Sequence, residues 1–386
     1  MGAIVSLQSF ISWTKNANLQ ERIRAARIMG KTWCPQKFLD KEKDYLILAM
    51  MHLLDDPAPA VRLSLARSIA LSNTVPRNII LALSEDHPDV SGTIILHSPI
   101  LNDDDLIYLI RKGSDLTRVF IASRYKLSNY VAENLIENGQ LYSVIALLEN
   151  KSAFLSSSLL MSISERFCHV PDARSLLSSR SDLPLKARYL LMKSVSNDLC
   201  KSVIVNRFIT SQRAKILSTE SIMNGIIDMI LNVDDMNSMR ELVVILQHDK
   251  QLTPALLINA LIIGAINFVS LVIENISGER IDRIRSILYT GGFNVVRALY
   301  ESIGLESEVS VIFVEATMII REMYANSINI DPLVISEKLI KIIQKKDIAG
   351  LSAKELYEII ERICLDANRK LIRSLASKSS RFIVAA

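Results

Sequence analysis

The sequence predicts an all-α chain: an α-α superhelix followed by a further helical C-terminal region. Three observations predict it. Apolar residues recur at i, i+3 and i+4 through most segments, as the buried stripe of a helix requires. Helix breakers are sparse, with 12 Gly and 10 Pro in 386 residues, and Leu, Ile and Ala dominate over Val, Tyr and Thr. Short segments downstream of Leu53 echo one another, the pattern of two-helix modules that hide their apolar stripes by stacking.

By pattern the chain divides into an N-terminal helical cap over residues 1–41, repeats over 42–205, a second helical region over 206–305 and a C-terminal helical region over 306–386. Residues 4–30 hold one or two helices, with Leu19, Ile23, Ala26 and Ile28 as the apolar set and Gly30 as the helix end. Trp13 and Trp33 fit a capping helix packed on the first repeat, and Arg22, Arg24, Arg27 and Lys31 a solvated basic strip.

The organising stretch runs from Leu53 to Ala70. Leu48, Met51 and Leu54 give an incoming helix its stripe, and Asp55-Asp56-Pro57 ends it, because proline lacks an amide donor and displaces its predecessor from helical angles. A second helix starts near Pro59, with Val61, Leu65, Ala66 and Ile69 buried. An aspartate in the turn can accept from free amides of that helix, and Arg62 is placed to reach a carboxylate of a neighbouring turn. Asp56-Pro57-x-Pro59-x-Val61-Arg62-x-x-Leu65-Ala66 resembles the turn and second helix of a HEAT-type repeat. The run onward to about residue 165 is similar to an uncharacterised bacterial family built on such repeats, as are Leu252–Leu261 and Gly291-Gly292-Phe293 with Ala298-Leu299-Tyr300. The resemblance implies a HEAT-like solenoid and assigns no site.

Degenerate copies follow. Ile79–Leu83 runs into Asp86-His87-Pro88-Asp89-Val90, Asn102-Asp103-Asp104-Asp105 is a helix start, and Arg118–Ala122 echoes Arg62–Ala66. Ser128 opens a helix that Gly139 closes, Leu147–Asn150 repeats Leu53–Asp56, and Leu176-Leu177 with Asp182-Leu183-Pro184 marks a fifth unit. Leu252–Ile273 carries no charge, a length that could span a bilayer, but Thr253-Pro254 starts a helix and Gly264 breaks it, so two short core helices are expected. Ser352-Ala353-Lys354-Glu355 reads as a capping box opening a helix with Leu356, Ile359, Ile360 and Ile363 on one side. Arg369, Lys370, Arg373, Lys378 and Arg381 then make a frayed, solvated basic end.

Chemistry-bearing motifs are few. No phosphate-binding glycine loop, no HExxH and no paired CxxC occurs, so no cofactor and no metal is expected. Cys34, Cys168, Cys200 and Cys364 read as buried thiols in a reducing compartment, and the adjacent Cys168-His169 project about 100° apart on a helix, which argues against a dyad. Asp103–Asp105 and Asp234-Asp235 sit where a helix start favours carboxylates. The start Met1-Gly2-x-x-x-Ser6 matches an N-myristoylation pattern, and no signal peptide is evident.

A net charge of +4, from 45 bases and 41 acids, is too balanced to point to phosphate binding. The expectation is a non-catalytic, cytoplasmic protein–protein interaction scaffold whose partner is unknown, with self-association as a further outcome of the mean hydropathy of +0.26. Its structural turn residues are Asp56, Pro57, Val61, Arg62 and Arg118. The alternatives are a HEAT-like nucleic-acid-binding protein or DNA glycosylase, and a secreted effector or membrane-peripheral protein held through Gly2 and the basic terminus; nucleic acid is disfavoured and no transmembrane segment is expected.

Overall fold

The computed structural model describes residues 7–33, 40–233, 235–346 and 350–383, with backbone alone for 40–42, 351 and 374–383. Among the described residues every regular element is helical, 23 in all, as the sequence predicts. The chain forms two compact units, residues 1–191 and 192–386.

The first unit contains α1 Leu7–Asn16, α2 Leu19–Trp33, α3 Asp40–Leu54, α4 Pro59–Ile69, α5 Arg77–Ser84, α6 Pro88–His97, α7 Asp103–Lys112, α8 Asp115–Ala122, α9 Asn129–Asn138, α10 Leu141–Glu149, α11 Ser157–Phe167 and α12 Pro171–Ser178, and takes the start of α13 Leu185–Lys201. Its helices contact in a regular alternation. Even-numbered helices pack in succession from α2 through α12, and α1 meets α3, α3 meets α5, α7 meets α9 and α9 meets α11. The core lies between, with Leu65, Ile69, Ile79, Ile80, Leu83, Ile94 and Ile95 fully buried.

Local chemistry sets the helix ends. Pro59 occupies the first turn of α4, where its missing amide costs no hydrogen bond. Asn102 and Asp105 form a reciprocal capping box on α7, Asn102 Oδ1 accepting from Asp105 N at 2.9 Å and Asp105 Oδ2 from Asn102 N at 3.0 Å. Ser128 caps α9, and Gly139 follows its last residue.

Four expectations are corrected here. Gly30 does not end α2: it lies inside the helix, where a Cβ would stand 1.9 Å from Ser68 Oγ and 2.7 Å from Ser68 Cβ, so its missing side chain lets α4 approach. Ile28 and Leu19 consequently point outward, and Ala26 takes the buried position. The buried face of α3 is Ala49, Met50 and Leu53, while Leu48 and Met51 are exposed; residues 46–54 are apolar nearly all round, so periodicity alone could not choose the face. Leu147–Asn150 ends α10, a helix of the even series, whereas Leu53–Asp56 ends α3 of the odd series.

The second unit takes the remainder of α13 and contains α14 Val203–Phe208, α15 Ser211–Leu231, α16 Met236–His248, α17 Pro254–Ile262, α18 Ile266–Ser277, α19 Ile281–Thr290, α20 Phe293–Ser302, α21 Ser307–Ala325, α22 Pro332–Lys346 and α23 Leu351–Ile383. Here packing converges on α17 and α21: α17 touches α15, α18, α21, α22 and α23. Every residue of α17 from Leu256 to Ile262 is buried, which accounts for the uncharged run. Thr253 Oγ1 caps α17, accepting from Leu256 N at 3.3 Å, and Gly264 at φ +82° breaks the chain before α18. No helix among the described residues is long and apolar enough to cross a membrane.

Arg321 of α21 donates to the carbonyls of Ile287 (2.5 Å), Leu288 (2.5 Å) and Gly291 (2.6 Å) at the end of α19, and burial holds its guanidinium below its ordinary pKa. A last correction concerns α23, which begins at Leu351, directly after Gly350 at φ +154°, so Ser352 lies within the first turn and the expected capping box is not formed among the described residues. Leu356 and Ile360 are buried and Ile359 and Ile363 half-buried, on the side foreseen.

Two predictions follow from this packing. Gly30→Val is expected to lower the unfolding free energy by about 2–3 kcal/mol through overpacking against Ser68 and Ile69, read as a shift in the urea midpoint without loss of helical circular dichroism. Arg321→Met, leaving three carbonyls at the end of α19 without their donor, is expected to cost about 2–4 kcal/mol in the same measurement.

Candidate functional site

The turn residues singled out in the sequence are only partly brought together. Asp56 is buried in the turn before α4, where its Oδ1 accepts from Ala58 N at 2.9 Å, ahead of the helix rather than within its first turn. Arg62 donates through Nη1 to the carbonyl of Asp56, and through Nε (2.5 Å) and Nη2 (2.7 Å) to both oxygens of Asp86 in the turn before α6. Arg22 of α2, read as part of a solvated strip, instead reaches Asp56 Oδ2 at 3.2 Å. Arg22, Asp56, Arg62 and Asp86 therefore run as a charged ladder from α2 through the turn before α4 to the turn before α6. Val61 is fully buried beneath it and Pro57 is exposed. Arg118 stands apart, donating from Nε to the carbonyl of Ile110 at 2.9 Å.

Burial pushes the Asp86 carboxyl up, but the paired guanidinium of Arg62 and the amide of His87 outweigh it and hold the group below its ordinary value. The hydrogen bond from Arg62 to Asp86 in turn keeps the guanidinium more firmly charged.

Beside this ladder, α2 and α4 enclose a cleft of about 440 Å³ lined by Ile23, Arg27, Lys31, Ala60, Leu63, Ser64, Arg67 and Ser68. The close approach at Gly30, with Ser64 Oγ donating to Ile23 O at 2.9 Å, sets the two walls. The floor is apolar, the rim carries three cations, and no acid is among the lining residues. Together α2 and α4 hold six bases against one acid, more positive charge than the whole chain nets. Arg67 went unnoticed in the sequence because it lies a helix away from Arg27 and Lys31, and only the α2–α4 packing joins them.

A second surface follows the turns that lead from each even helix to the next odd one. Leu71, Tyr125 and Phe154 project into solvent from the turns after α4, α8 and α10. The last two turns are tied together, Asn150 Nδ2 donating to the carbonyls of Ala122 (2.8 Å) and Arg124 (2.7 Å), and Lys126 N to Ser152 Oγ (3.3 Å). Exposed tyrosine and phenylalanine are the side chains enriched in recognition surfaces.

A family model described as an uncharacterised protein conserved in bacteria (DUF2336) matches residues 90–343. The chain belongs to that bacterial family. The matched residues include Leu252–Leu261 and Gly291–Tyr300, while the Asp56–Ala66 turn and the cleft between α2 and α4 lie ahead of them. A comparison with curated proteins found no match.

Other expected positions are ordinary. Asp235 caps α16, accepting from Ser238 N at 2.9 Å; that contact holds its carboxyl below the usual range, and its neighbour Asp234 lies outside the described residues. Cys168, Cys200 and Cys364 form no disulfide and are half-buried rather than buried, and Cys34 lies outside the described residues. Trp33 is buried with Nε1 donating to Thr74 Oγ1 at 3.2 Å, and Trp13 is partly exposed beside Phe10. Gly2 and Ser6, and the side chains of Lys378 and Arg381, are outside the described residues; α23 runs helical to Ile383, where a frayed end was expected.

Because its folded pKa lies below the unfolded one, Asp86 stabilises the fold above about pH 4, and that contribution is lost as pH falls through the folded value. Asp86→Asn is therefore expected to cost about 1–3 kcal/mol near pH 7. The gap between variant and wild type should close below about pH 4 in denaturant titrations across pH.

Proposed function

We propose that this protein is a non-catalytic interaction scaffold, its first unit a HEAT-like solenoid that presents a partner protein with the basic cleft of α2 and α4 and the apolar turn edge beyond it. The observation that carries the reading is the alternation of contacts in the first unit, where even helices pack serially and each helix shields its neighbour's apolar stripe. Stacks of this kind offer long, rigid, repetitive surfaces, and recognition on them is set by side chains rather than by reacting groups. The cleft adds chemistry to the shape: an apolar floor beneath Arg27, Lys31 and Arg67 suits a segment with acidic residues flanking an apolar anchor. The working location of such a scaffold is the cytoplasm, where cysteines outside disulfides stay reduced.

The same three cations also favour a second reading, a nucleic-acid-binding protein. Phosphate alone would account for the charge, but a single-strand groove gains from aromatic rings on which bases stack, and the cleft is lined by aliphatic and small side chains.

The two readings separate in one experiment. Tagged full-length chain and its Arg27→Glu/Lys31→Glu/Arg67→Glu variant are used to capture partners at low and moderate salt. The scaffold reading expects a protein retained by the wild type at both salts and lost from the variant. Recovery of nucleic acid that falls away steeply with salt supports the second reading and overturns the first.

A further inference from the structure

We infer that the segment from Leu199 to Leu217 in the second unit docks on an anionic lipid surface. The segment comprises the end of α13, all of α14 and the start of α15. It is unusual in burial. None of the side chains of α14 is buried, and Val203, Ile204 and Phe208 are 69%, 70% and 83% exposed. Leu199, Ile216 and Leu217 are exposed beside them. Of α14 only Val205 turns partly inward, so Val203, Ile204 and Phe208 draw no stability from burial within the fold.

Charge then selects the occupant. Residues 199–219 contain Lys201, Arg207, Arg213 and Lys215 and no acid, and all four bases are exposed. A second copy of this chain seated isologously on the patch would face one acid-free basic patch with another, a like-charge contact that opposes association. Anionic lipid headgroups offer the opposite sign, and the acyl boundary just beneath takes apolar side chains of the size of Ile204 and Phe208. Behind α14 lies an apolar cleft of about 440 Å³, lined by Val195, Leu199, Val205, Ile209 and Leu217 among others, so the apolar surface of this segment continues past the helix itself. The contact is peripheral, in keeping with helices too short or too polar to span a bilayer. It rests on residues of the second unit alone and does not depend on the scaffold reading of the first.

The test is co-sedimentation of the full chain with vesicles of phosphatidylcholine alone and of phosphatidylcholine mixed with phosphatidylglycerol. Wild type is expected to bind the mixed vesicles and leave the neutral ones. Arg207→Gln/Arg213→Gln is expected to weaken that binding roughly thirtyfold, since each base near an anionic surface contributes on the order of 1 kcal/mol. Ile204→Asp/Phe208→Asp should abolish it while circular dichroism stays unchanged. Arg27→Glu/Lys31→Glu/Arg67→Glu should bind as wild type does. No binding to the mixed vesicles overturns the inference, as does binding that Arg207→Gln/Arg213→Gln and Ile204→Asp/Phe208→Asp both retain. A concentration-dependent dimer that Ile204→Asp/Phe208→Asp dissolves, with vesicle binding untouched, would assign the patch to a second copy.

Discussion

The structure depends on arginines that finish helices they do not belong to. The last carbonyls of a helix have no amide within it to pair with, and in a chain of many helices of about eight to eleven residues such ends are numerous. A guanidinium offers five donors in a planar fork, enough to satisfy two or three carbonyls at once. Arg124 donates to the carbonyls of Ile95 and Ser98 at the end of α6, Arg166 to those of Ile136 and Gly139 at the end of α9, and Arg321 to three at the end of α19. Arg62, Arg118 and Arg174, evenly spaced along the chain, each reach a carbonyl just ahead of their own helix. Arg166 and Arg321 also fix the spacing of neighbours, because each donor sits on one helix and its acceptors at the end of another.

These contacts place charge where solvent is scarce. Burial lowers the pKa of Arg124, with Asp103 opposing the shift, yet a guanidinium remains ionised far above neutral pH. Carbonyl oxygens, rather than carboxylates, take its hydrogen bonds, so the fold tolerates a half-buried arginine without burying a matching acid. The ladder of Arg22, Asp56, Arg62 and Asp86 is the exception, where carboxylates join the turns of successive helices. It lies next to a cleft whose bases remain open to solvent, so the neighbouring acids are committed and do not neutralise Arg27, Lys31 and Arg67.

What the sequence made legible was local. Pro59, Asn102 with Asp105, Ser128 and Thr253 with Pro254 act within four residues of themselves, and each stands where its chemistry placed it. The uncharged run of residues 252–273 was legible as two buried helices because Gly264 supplies the left-handed break. What was not legible required a neighbour distant in sequence. Gly30 has meaning only against Ser68, Arg22 only against Asp56, and the buried face of α3 only once α4 and α5 cover it. Of the candidate cleft, Arg27 and Lys31 were visible as a strip, and Arg67 was not. The exposure of α14 was not legible either, because an apolar side chain carries no mark of whether anything covers it. The family-matched residues take in α14 but begin after α4, so the lipid-facing segment lies within the shared part and the basic cleft outside it.

The central claim is that helices of the first unit lean on one another in series. Native-state hydrogen exchange of a Leu65→Ala variant tests it most directly, since Leu65 is fully buried in α4. In a serial stack the free energy lost at one helix passes to its contacts and fades with distance. The account predicts the largest loss of amide protection in α2, α3, α4 and α6, and little in α10 and α12. A uniform loss across α2 to α12 would contradict it.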